Sequence, residues 1–257
     1  MADRALRLDR ADGVVRCTLD RPPLNLLDPG VIAALHETFT ALSRDDSVRA
    51  VVLGGAGRAF TGGMDVHVLR DLDVTSAKTL ISGLCAAIDA VHRAPFPVIA
   101  AVNGACLGAG FELALACDLR VAAAGAVFGL PEVRVGVPSV IQAALLPPLI
   151  GPGRAAEMLL LGTSVPAAQA LEWGLVNRVV EAGALDAAVG ELLDALSRCA
   201  PGAVRLQKEL IIRWRETDLP SAVHAGVNAF ATAYASREPR EGAEAFLAKR
   251  APRFERP

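Results

Sequence analysis

Residues Pro97–Asp118, PVIAAVNGACLGAGFELALACD, decide the fold. An apolar run of strand length, Pro97–Val102, breaks at Asn103-Gly104 and passes a small-residue turn, Gly108-Ala109-Gly110. The chain then resumes as a helix-like apolar segment carrying one acid, Glu112. The start of a helix leaves backbone N–H groups without intrahelical acceptors and places the positive end of the helix dipole at the turn. A strand, a glycine turn and a helix start therefore aim donors at one point that can hold an anion or a developing oxyanion. A carboxylate two residues past the turn stands at the edge of that point, which is the layout of an active site.

At 257 residues the chain fits one large domain, or one domain with a smaller appendage. The hydrophobic fraction of 53% can fill a large core and leave apolar surface for self-association. The longest apolar runs are broken by Gly, Pro or charge short of the roughly 20 residues of a membrane span, and the net charge of −2 gives no general field for nucleic acid or an acidic membrane. Neither is expected as a partner. Five scattered cysteines, Cys17, Cys85, Cys106, Cys117 and Cys199, form no CxxC pair and read as buried reduced thiols rather than a disulfide frame or zinc site. The N-terminus enters a strand-like alternation almost at once, so no signal or transit peptide is expected and the expected location is cytoplasmic.

Strands are expected at Ala5–Leu8, Val14–Leu19 and Arg49–Leu53, with a helix from Asp28-Pro29 (N-cap, then Pro at the first helical position) to about Ser43. Gly54–Asp65 is too glycine-rich for an element interior. A helix over about Thr75–His92 leads to the strand of the opening stretch; strands follow to about Ala122 and at Val127–Leu130. From Ser139 the chain reads almost wholly helical, with a short strand at Leu175–Val180. Strand-helix alternation first and helices last predict an α/β core with a helical C-terminal part.

Two glycine loops are each followed by an acid: Gly62-Gly63-Met64-Asp65 and Gly108-Ala109-Gly110-Phe111-Glu112. Taken singly, each is a turn. Taken together, they can donate two backbone N–H groups to one carbonyl oxygen and stabilise an enolate or a tetrahedral oxyanion without a charged side chain. Glu112 and Glu132 are the acid–base candidates. A lone Glu is ordinarily a solvated surface residue, but an acid between Phe111 and Leu113 is costly to bury without a role. In one pocket their repulsion would split their pKa values into one acid and one base, the division that hydration and dehydration need. Gly108-x-Gly110 fails the dinucleotide fingerprint because Leu113 stands at the third glycine. Ser139, between Pro138 and Val140, has no nucleophile elbow. His36, His67, His92 and His224 lack metal spacing, and His67 reads as a loop-surface residue.

These residues together resemble the crotonase superfamily, the enoyl-CoA hydratase/isomerase family, over essentially the whole chain. VVRCTLDRPPLNLLDPGVIAAL (Val14–Leu35) is similar to its first hairpin and RPxxNAL loop, and RAVVLGGAGRAFTGGMD (Arg49–Asp65) to the strand and loop of its first oxyanion-hole amide. PVIAAVNGACLGAGFELALACDLRVAA (Pro97–Ala123) is similar to its central signature, and REGAEAFLAKRAPRF (Arg240–Phe254) to its closing helix.

The resemblance implies a spiral of ββα units over residues 1–195, a helical oligomerisation region over 196–257 and a homotrimer or hexamer. It places the oxyanion-hole N–H groups at Met64 and Ala109 and the catalytic acids at Glu112 and Glu132. Substrate or CoA contacts fall at Leu26, Met64, Asp65, Val66, His67, Gly108, Ala109 and Ser139, and Lys249 is assigned to the CoA phosphates. No metal or redox cofactor is implied, because CoA enters with the thioester substrate. Retention of both acids favours hydration of a trans-2-enoyl-CoA or the reverse dehydration; Δ3-Δ2 isomerisation and non-catalytic acyl-CoA binding are the alternatives. In one place the chain departs from the pattern. Hydratases carry a glycine-rich PGxGGTQRL segment after the second glutamate, where this chain has Gly136-Val137-Pro138-Ser139-Val140-Ile141-Gln142-Ala143. There, Ser139 or its amide is the candidate to take over the contact with the reacting water.

Overall fold

The computed structural model describes residues 5–254. Two sheets share the work of the fold. The larger contains β1 (Leu6–Ala11), β2 (Val14–Leu19), β3 (Ala50–Gly55), β5 (Val98–Val102), β7 (Leu119–Ala123) and β10 (Arg178–Val180), in that order across the sheet. The smaller contains β4 (Ala59–Thr61), β6 (Ala105–Leu107), β8 (Val127–Gly129) and β9 (Ser164–Pro166). β1 and β2 form the expected hairpin, and β2 through β10 run parallel in the larger sheet. Consecutive strands alternate between sheets: β3 then β4, β5 then β6, β7 then β8. Helices Val66–Arg70 and Val74–His92 follow the first pair and Ala109–Ala116 follows the second, giving an α/β spiral of ββα turns. The chain then continues mainly as helices, including Pro152–Leu161, Leu185–Ser197, Pro201–Glu216, Leu219–Ala233 and Glu238–Leu247.

Local chemistry sets the boundaries. Asp28 caps helix Pro29–Leu42 by accepting from Val31 N–H at 2.8 Å, with Pro29 in the first turn where its missing N–H costs nothing. Asp73 and Ser76 form a reciprocal capping box that starts the next long helix at Val74. β2 buries alternate residues, Val15, Cys17 and Leu19, whereas β5 is buried at every position because layers cover both its faces. Phe39, Phe60, Phe96, Phe111 and Phe128 are fully buried, each contributing about 1.5–3 kcal/mol of apolar burial.

Several expectations need correction. Gly54–Asp65 is not all loop, since β4 runs inside it, too short to show a period-two pattern. β6 and β9, of similar length, carry no such pattern either and add two strands to those expected. His67 lies in the short helix Val66–Arg70, exposed, rather than in a loop. Glu132 follows β8 and a proline as expected, in a 3-10 turn, Pro131–Val135. Cys17, Cys106 and Cys117 are buried, but Cys85 and Cys199 are exposed. Helix Val74–His92 is by length and mean hydropathy apolar enough to cross a membrane, although Lys78, Gly83 and Asp89 break its apolar runs as expected. Here it lays Leu84, Ala87, Ile88 and Val91 into the core, packed against Pro29–Leu42.

Candidate active site

The smaller sheet gathers the site. β4 pairs in parallel with β6, Thr61 opposite Cys106, and β6 pairs in parallel with β8, Leu107 opposite Gly129. The segments leaving the three C-terminal strand ends therefore lie side by side: Gly62–Met64, Gly108–Glu112 and Leu130–Glu132. Crevices at the carboxyl ends of parallel strands are where ligands bind in such sheets.

The two glycine loops, far apart in the chain, meet here. A Cβ on Gly63, whose φ is +91°, would lie 2.7 Å from the Leu107 carbonyl oxygen and 3.5 Å from Gly108 Cα. The Gly110 position abuts the Thr61 side chain so closely that a Cβ would collide with it. Thr61 also accepts from Gly63 N–H at 3.0 Å. Two asparagines fasten the turn between β3 and β4, which leads into the first loop. Asn25 Nδ2 donates to the carbonyls of Ala56 and Ala59 at 2.9 and 2.8 Å, and Asn103 Nδ2 to those of Gly55 and Gly57 at 2.9 and 2.8 Å. Neither stands out as functional from sequence reasoning, although Asn25 lies in the RPPLN motif and Asn103 in the NG turn.

Two amides at the junction, those of Met64 and Ala109, have no hydrogen-bond acceptor among the described residues. Leu27 N–H donates to Gly63 O at 2.9 Å and Leu27 O accepts from Asp65 N–H at 3.4 Å, so that Met64 between them turns its own N–H to the other side of its chain. Gly108 N–H is used by Gly129 O at 2.9 Å, but Ala109 opens the helix Ala109–Ala116 and has no intrahelical acceptor. A helical residue has negative φ, so the Ala109 methyl is tolerated there. The Met64 side chain packs partly against the core. The far end of the helix is held by the buried Arg120, which donates to the carbonyls of Ala114 and Cys117 at 3.3 and 2.7 Å and to that of Leu175 at 2.6 Å.

Glu112, on that helix, is 2% exposed. Its Oε1 accepts from Ile141 N–H at 2.9 Å and Ala143 N–H at 3.0 Å. Glu132 is half-buried and its Oε2 accepts from Ser139 Oγ at 2.8 Å. Burial pushes Glu112 above the usual carboxylate range; the Ile141 and Ala143 amides pull it back and the Glu132 charge adds to the rise. Burial also lifts Glu132, against the pull of hydrogen bonds from its own amide and Ser139. The segment that departs from the hydratase pattern thus holds both acids. The Ile141 and Ala143 contacts have no signature in the residue types, because backbone makes them.

Leu26 lies half-buried beside Gly62, where a Cβ would sit 3.1 Å from a Leu26 methyl. Asp65 caps the short helix that carries Val66 and His67, both exposed on the same rim. Lys249 follows the last helix with φ +51° and is exposed. Apart from this site, a groove of about 720 Å³ lies between Asp46, Arg205 and the helix Glu238–Leu247. Its acids have structural partners: Glu238 accepts from the Gly202 and Ala203 amides, and Glu241 pairs with Arg250.

The model of the enoyl-CoA hydratase/isomerase family matches residues 9–257. The chain is 33% identical to crotonyl-CoA hydratase of Syntrophomonas wolfei over 99% of both chains, and 35% identical to carnitinyl-CoA dehydratase of Salmonella typhi over 96% of this chain and 97% of that one. Among solved structures, an enoyl-CoA hydratase of Mycobacterium smegmatis superposes with a TM-score of 0.95 at 36% identity, covering 98% of this chain and 99% of that one. The chain belongs to the enoyl-CoA hydratase/isomerase family of the crotonase superfamily. It is an enoyl-CoA hydratase-like enzyme acting on acyl-CoA chemistry.

Proposed function

We propose that the enzyme adds water to a trans-2-enoyl-CoA thioester, or removes it from the 3-hydroxyacyl-CoA. The thioester oxygen sits between the N–H groups of Met64 and Ala109, which stabilise the enolate-like charge that develops there. Ionised Glu112 takes a proton from water as the hydroxyl oxygen bonds to C3, and protonated Glu132 gives its proton to C2. Dehydration is the same path reversed. Contacts from Leu26, Asp65–His67 and Gly108 hold the CoA portion, and Lys249 answers its phosphates. The observation that carries this reading is the placement of two carboxylates, Glu112 and Glu132, beside the junction where the two glycine loops meet. The hydro-lyase names of the crotonyl-CoA and carnitinyl-CoA relatives support it. The test is a panel of enoyl-CoA thioesters followed by loss of the conjugated-enoyl absorbance, with Glu112→Gln beside the wild type. Loss that depends on Glu112 and yields a 3-hydroxyacyl product is expected; thioester binding without turnover anywhere in the panel would count against it.

The C-terminal region, residues 196–257, is assigned to self-association in a homotrimer or hexamer. Helix Leu219–Ala233 and the residue after it expose Leu219, Val223, Val227, Phe230 and Tyr234 at helical spacing, an apolar stripe of the kind that a partner copy covers.

A further inference from the structure

We propose that Ser139 is a positioning residue that ties Oε2 of Glu132 to the protein and thereby makes Oε1 the oxygen that exchanges the α-proton. The inference rests on the two-glutamate hydration reading and adds to it a residue and an atom.

The local backbone delivers Ser139 to this task. After the turn that carries Glu132, Gly136 adopts φ +86°, which reverses the chain, and Val137 N–H donates back to Glu132 O at 3.2 Å. Pro138 then restricts the backbone, and the Ser139 hydroxyl reaches the carboxyl group of the residue whose carbonyl the same loop has just bonded. Two successive contacts to one residue leave Glu132 little freedom to rotate.

The other oxygen is placed by the glycine loop. A Cβ on Gly108 would lie 3.0 Å from Glu132 Oε1, so this oxygen rests against the bare Cα face of Gly108, one residue from the Ala109 amide. In the hydration reading, a thioester held by that amide brings its α-carbon to this side. Because Oε2 already receives the Ser139 proton, a neutral Glu132 carries its own proton on Oε1, facing the substrate. Glu112 is arranged in the same way, with Oε1 occupied by the Ile141 and Ala143 amides and Oε2 left over. One segment, Ser139–Ala143, therefore occupies one oxygen of each acid.

The titratable neighbour facing Glu132 is Glu112, from helix Ala109–Ala116. Arg134, on Glu132's own turn, is directed to the Leu161 carbonyl at 3.0 Å, and no ion pair to Glu132 occurs among the described residues. The Ser139 hydroxyl is thus the side-chain donor that steadies the ionised form.

The test compares Ser139→Ala and Ser139→Thr in the full chain. Glutamate carrying a 13C label at the carboxyl is titrated by NMR, with the Glu132 resonance assigned by its loss in Glu132→Gln. Ser139→Ala is expected to move the Glu132 midpoint upward by about one pH unit and to lower kcat by about tenfold with KM little changed, the size of one hydrogen bond to a charged group. Ser139→Thr keeps the hydroxyl and is expected to restore both. An unmoved midpoint in Ser139→Ala, or a loss confined to KM, would overturn the proposal by making Ser139 idle or a substrate contact. The titration needs no substrate. A moved midpoint in a protein that hydrates no thioester would instead refute the hydration reading and with it the proton-transfer role, leaving only the contact.

Discussion

Gly63 and Gly108 stand face to face where the two loops of the site join, close enough that a Cβ on Gly63 would lie 3.5 Å from Gly108 Cα. Side chains are excluded there for two reasons, space and positive φ, +91° at Gly63 and +54° at Gly108. Gly63→Ala meets the Leu107 carbonyl as well and is expected to cost about 1–3 kcal/mol in denaturant unfolding. In Gly108→Ala the methyl presses on Glu132 Oε1, so kcat is expected to fall by at least about tenfold, beyond any loss of fold. Wild-type stability in Gly63→Ala would show that the loops do not meet as described.

Glu112→Gln and Glu132→Gln are each expected to lower kcat by at least about a hundredfold, the usual range for a general acid or base. The Glu112→Gln side chain keeps a carbonyl oxygen that can accept from the Ile141 and Ala143 amides, so the loss reflects chemistry. Steady-state kinetics on an active thioester checks this, and full activity in both variants would dispose of the two-acid mechanism.

Both carboxyls are raised in the folded protein, chiefly by burial. The native state therefore holds protons that the unfolded chain has released, and stability falls as pH rises from the unfolded Glu value, about 4.3, through the raised folded values. Glu112→Gln removes this penalty. It is expected to melt at a higher temperature than the wild type near neutral pH, with the difference shrinking as the pH is lowered toward about 4 and below. Melting curves across that range are the check; a difference independent of pH would point to packing instead.

Replacing Val227 and Phe230 together by Asp places charge in the exposed stripe of helix Leu219–Ala233 without touching the core. Light scattering is expected to report a wild-type oligomer and a smaller species for the double variant. A wild-type monomer would refute the assignment of residues 196–257 to self-association.

Much of this is legible in the sequence because the signals are local. Asp28-Pro29 announces a capped helix, the alternation of Val15, Cys17 and Leu19 a half-buried strand, and Pro97–Asp118 a strand, turn and helix that the structure contains. Glu112 can be singled out because it interrupts an apolar run that is buried throughout. β4, β6 and β9 escape because three residues are too few for periodicity to register. The meeting of Gly63 with Gly108 depends on the parallel pairing of β4 with β6, a long-range relationship with no local signature. The hold on Glu112 comes from the amides of Ile141 and Ala143, which residues of any type could supply. Ser139 is visible as a substitute for the missing glycines, but its partner, Glu132 Oε2, is not.

The most direct test of hydration is the fate of solvent oxygen. The wild type is incubated with the enoyl-CoA panel in H2 18O and the products are analysed by mass spectrometry. One heavy oxygen at C3 of a 3-hydroxyacyl-CoA, absent with Glu112→Gln, is the predicted result. A product with a shifted double bond and no solvent oxygen would contradict it and make the enzyme an isomerase.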